Sequence, residues 1–211
     1  MTVADMQRLE RILSDALGVS KERAESLLKS RTTRVLRFKN FIYIALRRDI
    51  LGHYEGTTVI IHEPSGKFRL VEGYPHIQRV LLLSVAIPKH FIDKVVVEEK
   101  MDGYNVRVVL FMGELLAVTR GGFICPYTTA KMRRLYGNSA AKLLEYLGED
   151  SMLVGEAVGL ENPYTRFYYP EAPTWDFFIF DIFKERLEPL PVYDRSKLIA
   201  EYSLRSVPIH G

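Results

Sequence analysis

The residues most able to do chemistry lie close together in Glu98-Glu99-Lys100-Met101-Asp102-Gly103-Tyr104-Asn105-Val106-Arg107. A lysine follows the run Val95-Val96-Val97, and Asp102-Gly103 supplies a tight turn into a second apolar stretch. A run apolar on both faces predicts a buried strand, and such a strand rarely ends in a flexible cation. Burial disfavours the ammonium form and so turns a lysine towards nucleophilic work. The demand is severe: at neutral pH only about one ordinary lysine in a few thousand is uncharged, a handicap of roughly 4.6 kcal/mol. A neighbouring cation such as Arg107 or Arg120 would reduce it. The plain alternative is a surface Lys-x-Asp-Gly turn, which arises by chance in about a few per cent of chains this long.

The surrounding pattern indicates what must position these groups. Met6, Leu9, Ile12, Leu13 and Leu17 recur at helical spacing, Gly18 stops the helix, and Ser20 caps a second one carrying Ala24, Leu27 and Leu28. This hairpin suits packing better than DNA reading, because its second helix has no obvious base-contacting set. Short β-rich runs follow at 37–45, 57–62 and 67–72, the last two joined by Glu63-Pro64-Ser65-Gly66. A helix at 76–84, ended by Ile87-Pro88, leads to a boundary between an N-terminal α+β module, 1–88, and a second unit, 89–211. In the second unit, strands are expected at 94–99, 104–111 and 115–120, the latter two joined through Met112-Gly113-Glu114. Helices at 128–136 and 140–147, strands at 152–158 and 175–183, and a helix from 193 to about 204 complete it. Strands and helices without regular alternation predict an α+β fold with mostly antiparallel sheet.

Composition removes other classes. The 211 residues include 29 Lys+Arg, 26 Asp+Glu, 5 His and 1 Cys, and 47% are apolar, enough for a real core and unlike a disordered chain. Cys125 alone excludes a disulfide framework and a cysteine-rich zinc site and points to a reducing, cytoplasmic setting. His53, His62, His76, His90 and His210 contain no H-x-x-x-H pair. The apolar stretch near 80–87 is far short of the roughly 20 residues a membrane span needs, and Asp5, Arg8, Glu10 and Arg11 interrupt any signal pattern, so no membrane partner is expected. The paucity of Gln and Asn hints at a thermophilic source. Net charge of +3 permits a polyanionic partner without demanding one. Arg31, Arg34, Arg37, Lys39, Arg47 and Arg48 gather in the N-terminal module, where a solvated face and RNA or phosphate contact both fit.

The ordered motifs resemble the covalent nucleotidyltransferase superfamily of ATP-dependent ligases and mRNA capping enzymes. Lys100, in Lys100-Met101-Asp102-Gly103, stands where that family's nucleophile forms a lysine–AMP bond. Arg120, in Thr119-Arg120-Gly121-Gly122, matches the arginine that contacts the nucleotide and the 5′-phosphate end. Glu156, in Leu153-Val154-Gly155-Glu156-Ala157, matches the ribose-binding glutamate, and Phe180-Asp181 matches the adenine-stacking aromatic and its adjacent acid. Glu99 sits where RNA ligases recognise the adenine edge. Asn105 stands where DNA ligases and capping enzymes usually carry arginine, as in many RNA ligases. With Gly159-Leu160-Glu161-Asn162-Pro163-Tyr164, this looks like the archaeal, RNA-circularising ATP-dependent RNA ligases.

The resemblance implies an ATP-grasp-like core of antiparallel sheets with flanking helices. It also implies ATP as adenylate donor with Mg²⁺ or Mn²⁺, single-stranded RNA ends as partners, and a possible homodimer. Asp102 and Asp181 are candidates for metal or water contact, without a defined ligand set. Tyr164, Phe167, Tyr168 and Tyr169 could stack on bases or anchor a loop. Taken singly, Arg120 fits a hairpin-end surface residue, Glu156 an exposed strand residue and Phe180 a packing residue. The family's Glu-Gly strand and Lys-x-Lys pair have no match after Asp181, so the sequence-based expectation is a chain incomplete at its C-terminus that self-adenylylates poorly. A DNA ligase, a capping-type enzyme and a non-catalytic RNA-binding module stand as alternatives.

Overall fold

The computed structural model describes residues 3–77, 80–91 and 93–211. Helices α1 (Val3–Leu17) and α2 (Lys21–Lys29) form the hairpin their periodicity requires, with Ser20 capping the amide of Arg23. They cover one face of a four-stranded antiparallel sheet, β1 (Thr33–Phe38), β2 (Phe41–Leu46), β3 (Thr58–His62) and β4 (Phe68–Val71), paired in sequence order. Helix α3 (Leu83–His90) follows, and then a five-stranded antiparallel sheet of order β6-β5-β7-β8-β9. Its strands are β5 (Tyr104–Phe111), β6 (Glu114–Thr119), β7 (Met152–Val158), β8 (Asp176–Glu185) and β9 (Glu188–Pro189). Helices α4 (Pro126–Leu147) and α5 (Val192–Glu201) pack on its outer face.

Strand alternation makes both sheets two-faced. Ile42, Ile44, Val59 and Ile61 meet the helical hairpin, whereas Phe41, Tyr43, Ile60 and Val71 turn towards Val109, Leu116, Val118, Met152, Val154 and Phe183 of the second sheet. The four layers therefore run helices, sheet, sheet, helices. The core between the sheets ends near Val118 and Val154, and beyond that end lie Asn105, Arg120 and Glu156.

Four expectations change. The run 37–45 is a hairpin, because Lys39 adopts φ 51 and turns the chain between β1 and β2. The segment 94–99 is no buried strand: Val95 and Val97 are 47% and 53% exposed, and its backbone is bound to residues 208–211, with the Val97 amide donating to Gly211 O and that of His210 to Val97 O. A valine run satisfies the strand pattern even when no sheet edge receives it. The helix expected at 76–84 lies instead at α3, with Pro88 inside and only Ala86 buried; Gln78 and Arg79 lie outside the described residues. The two helices at 128–136 and 140–147 are one, because Thr128, Thr129, Met132, Ala140, Leu143, Leu144 and Leu147 share one buried stripe that carries Gly137 through.

Candidate active site

Lys100 stands on an irregular loop between the 94–99 segment and β5, fixed on both sides of an exposed side chain. Upstream, Glu98 pairs with buried Arg195 of α5, the Glu99 amide donates to Pro208 O at 2.9 Å, and the Glu99 carboxylate meets His210 at 3.2 Å. Downstream, Met101 is buried and the Asp102 amide donates to the Tyr169 hydroxyl at 2.7 Å. Gly103 lies so close to β7 that a Cβ there would meet Ala157 O at 2.2 Å. Lys100 is thus exposed, not buried as the valine run implied, on a backbone with little freedom.

Sheet register brings the other groups to it. Asn105 pairs with Glu156 across β5 and β7, and Glu156 pairs with Phe178 across β7 and β8. Val106 pairs with Thr119, which places Arg120 beside Asn105 just past the end of β6. Directly opposed residues share a face, so arginine, amide and carboxylate form a row across adjacent strands. Glu156 is the electrostatic centre. Burial pushes its carboxyl from the ordinary 4.5 to about 7; Lys100, the Gly103 amide and Arg120 pull it down, and Asp102 pushes it up. One carboxylate therefore feels Lys100, Asp102, Gly103 and Arg120 together.

Three expected residues sit differently. Arg107, expected as a cation near Lys100, is 0% exposed between the sheets and donates to Glu72 O, to Gly56 O at 2.9 Å and to Thr119 O at 2.6 Å. Alternation puts it on the inner face, where the carbonyls of the N-terminal half receive it; burial lowers its proton affinity to about 10, so it stays charged at neutral pH. Asp181, a candidate for metal or water contact, is engaged by the Tyr74 hydroxyl and by Arg195 at 3.5 Å. Burial raises its carboxyl, and burial together with this bond raises the Tyr74 phenol. Phe180, half-buried, meets Tyr74 edge-on at 5.5 Å, and the bulge at Val154/Gly155 in the β7–β8 ladder reaches it. Sequence reasoning missed Arg195, which binds Phe180 O, Asp181 and Glu98 at once, because a helical arginine ordinarily faces solvent. It also missed the buried His53–Glu72 pair at 3.0 Å, reached by Arg186 at 2.8 Å.

The donor set fits a nucleotide. The Asn105 amide oxygen is buried without a partner, an acceptor awaiting a donor. Glu156 beside it suits hydroxyls, and Arg120 with Lys100 supplies positive charge for phosphates. A resident metal fits less well, since among the described residues no group of three or more His, Cys, Asp or Glu could hold one. A cleft of about 1030 Å³ lies at the far end of β5, lined among others by Lys67, Arg69, Met112, Glu145 and Asp150. It contains none of the grouped residues, and the acids with the C-terminal end of α4 make it a poor phosphate site. Among the described residues no helix is long and apolar enough to cross a membrane.

A family profile described as RNA ligase matches residues 93–211, more than half of the chain. The chain belongs to the RNA ligase family. Within solved structures, this RNA ligase family member is similar to an archaeal ATP-dependent RNA ligase, with 33% identity and TM-score 0.83 over 96% of this chain and 53% of that one. It is also similar to a putative ATP-dependent DNA ligase from Aquifex aeolicus, with 31% identity and TM-score 0.76 over 91% and 50% of the respective chains. An uncharacterized protein of Methanocaldococcus jannaschii is 38% identical over 191 residues, 85% of this chain and 46% of the relative. The chain thus spans about half the length of the relatives it matches. The mixed α+β architecture expected from the sequence is that of the archaeal RNA ligase fold.

Proposed function

We propose that this chain forms the nucleotide-handling part of an ATP-dependent RNA ligase that joins an RNA 5′-phosphate to a 3′-hydroxyl. The observation that carries this reading is the grouping of Lys100 and Arg120 around Glu156, which stands opposite Asn105 and its unpartnered oxygen at one end of the second sheet. The Lys100 amine in its neutral form attacks the α-phosphorus of ATP; an N–P bond forms, the bond to the bridging oxygen breaks as pyrophosphate leaves with its electron pair, and the proton displaced from the nitrogen passes to solvent. Arg120 balances charge on the phosphates, Asn105 and Glu156 accept hydrogen bonds from the nucleoside, and Phe180 offers a ring to the purine. Glu99 and the Asp102-Gly103 turn hold the lysine's approach. A divalent ion, Mg²⁺ or Mn²⁺, would enter as the counterion of the nucleotide. The AMP then passes to the RNA 5′-phosphate, and a 3′-hydroxyl displaces it to seal the strand.

The test is covalent labelling of the protein at its natural length with α-labelled ATP, alongside Lys100→Ala. Label on the wild type and none on the variant is expected; equal label on both sinks the reading. Similarity to the Aquifex aeolicus protein, a putative ATP-dependent DNA ligase, favours a second reading in which the strand sealed is DNA. Sealing of nicked DNA in preference to RNA ends would select it, whereas Asn105 in place of arginine argues for RNA.

A further inference from the structure

Of the clustered Arg31, Arg34, Arg37, Lys39, Arg47 and Arg48, two are engaged in ion pairs among the described residues and four are not. Arg37 is paired with Glu63 at 3.0 Å and Lys39 with Glu114 at 3.7 Å. Arg34, Arg47 and Arg48 are exposed and have no salt bridge among the described residues. Arg34 lies beside the Arg120 turn, and Arg47, whose guanidinium donates to Arg31 O at 3.2 Å, and Arg48 follow the strand end that abuts it. Arg34 pairs in register with Ala45, whose Cβ lies 2.8 Å from where a Cβ on Gly122 would be, and its guanidinium lies 5.6 Å over the Phe123 ring. Arg47 and Arg48 follow β2, next to Leu46, whose carbonyl receives the Gly56 amide at 2.8 Å. Gly56 in turn touches the Arg120 carbonyl so closely that a Cβ there would lie 1.8 Å from it. Thr58 donates to Gly122 O at 3.0 Å and completes the junction. The acid that follows Arg48, Asp49, is engaged by the Glu55 amide at 2.7 Å and by His76 at 3.1 Å.

We infer that Arg34, Arg47 and Arg48 continue the positive charge of Arg120 outward as a track for the phosphodiester backbone of single-stranded RNA. The inference rests on the ligase reading for the identity of the strand. A cation–π contact with Phe123 holds one guanidinium over the ring and leaves its donors for phosphate oxygens, which suits arginine better than lysine. Contacts of this kind position a strand without reading its sequence.

The probe is a 5′-phosphorylated single-stranded RNA of about a dozen nucleotides, with affinity followed by fluorescence anisotropy between about 50 and 200 mM salt. Replacing Arg34, Arg47 and Arg48 together by alanine is expected to weaken binding at least tenfold at low salt and to lower the slope of log K against log salt by about 2. Arg37→Ala with Lys39→Ala removes two charges from the paired set, against three in the triple variant, and is expected to change affinity less than twofold. Circular-dichroism melts check that both variants are folded. An unchanged salt slope in the triple variant, or an equal loss in the double one, overturns the track. A wild type that takes no AMP on Lys100 yet shows the triple-variant loss overturns the ligase reading and leaves the track standing.

Discussion

Asn105 and Glu156 face each other across β5 and β7, one with an amide oxygen that has no partner, the other with a carboxyl that burial holds near pH 7. Together they form a polar floor on which Glu156 takes the Gly103 amide and the Asn105 oxygen is left unspent. An unused buried acceptor costs about 1–3 kcal/mol, which a fold retains where a ligand supplies the missing donor.

Asn105→Ala therefore separates stability from binding. Removing the orphaned oxygen is expected to leave the unfolding free energy within about 1 kcal/mol of wild type or above it, while nucleotide affinity falls about tenfold. Urea unfolding and calorimetric titration with ATP measure the two. A variant much less stable and equally good at binding would show that the oxygen serves packing.

Glu156→Gln tests the raised carboxyl. The folded state holds this proton more tightly than the unfolded chain, so the residue's contribution is fully present below pH 4.5 and is lost as pH rises to about 7. The glutamine variant does not titrate. Its stability relative to wild type is expected to climb by about 3 kcal/mol between those limits and to stay level above them. Melts across the range decide it, and a flat difference contradicts the proton assignment.

Arg107→Met leaves the carbonyls of Glu72, Gly56 and Thr119 without donors between the sheets. A loss of about 3–5 kcal/mol in denaturant unfolding is expected. Arg107→Lys recovers only part of it, because an ammonium cannot reproduce the planar fork.

Gly56→Ala adds a Cβ where φ is +84° and the Arg120 carbonyl stands 1.8 Å away. The turn bearing Arg120 must move, so AMP labelling is expected to fall at least tenfold with a stability loss of about 1–3 kcal/mol. If labelling survives intact, the side chain of Arg120 does not need that turn.

Local signals were legible where one element decides its own shape. Met112-Gly113 closes the β5–β6 hairpin and Ser20 caps α2 as their chemistry dictates. Motif order was legible as well, since Arg120 and Glu156 reach the field that Lys100 shares. What could not be read depends on partners distant in sequence. Val95-Val96-Val97 has strand chemistry and no sheet edge, and Gly137 sits in a helix because the residues on either side share one stripe. Arg107 and Arg195 look like ordinary surface cations until the carbonyls and carboxylates that surround them are in place.

The arginine sealed between the two sheets has one more implication. A guanidinium walled in on every side cannot be left behind by either half of the chain, so each half would expose an unmet demand if expressed alone. Cutting the polypeptide near residue 90 and supplying the pieces separately should give fragments that stay soft and sticky until mixed, in the manner of a split protein rather than two beads on a string.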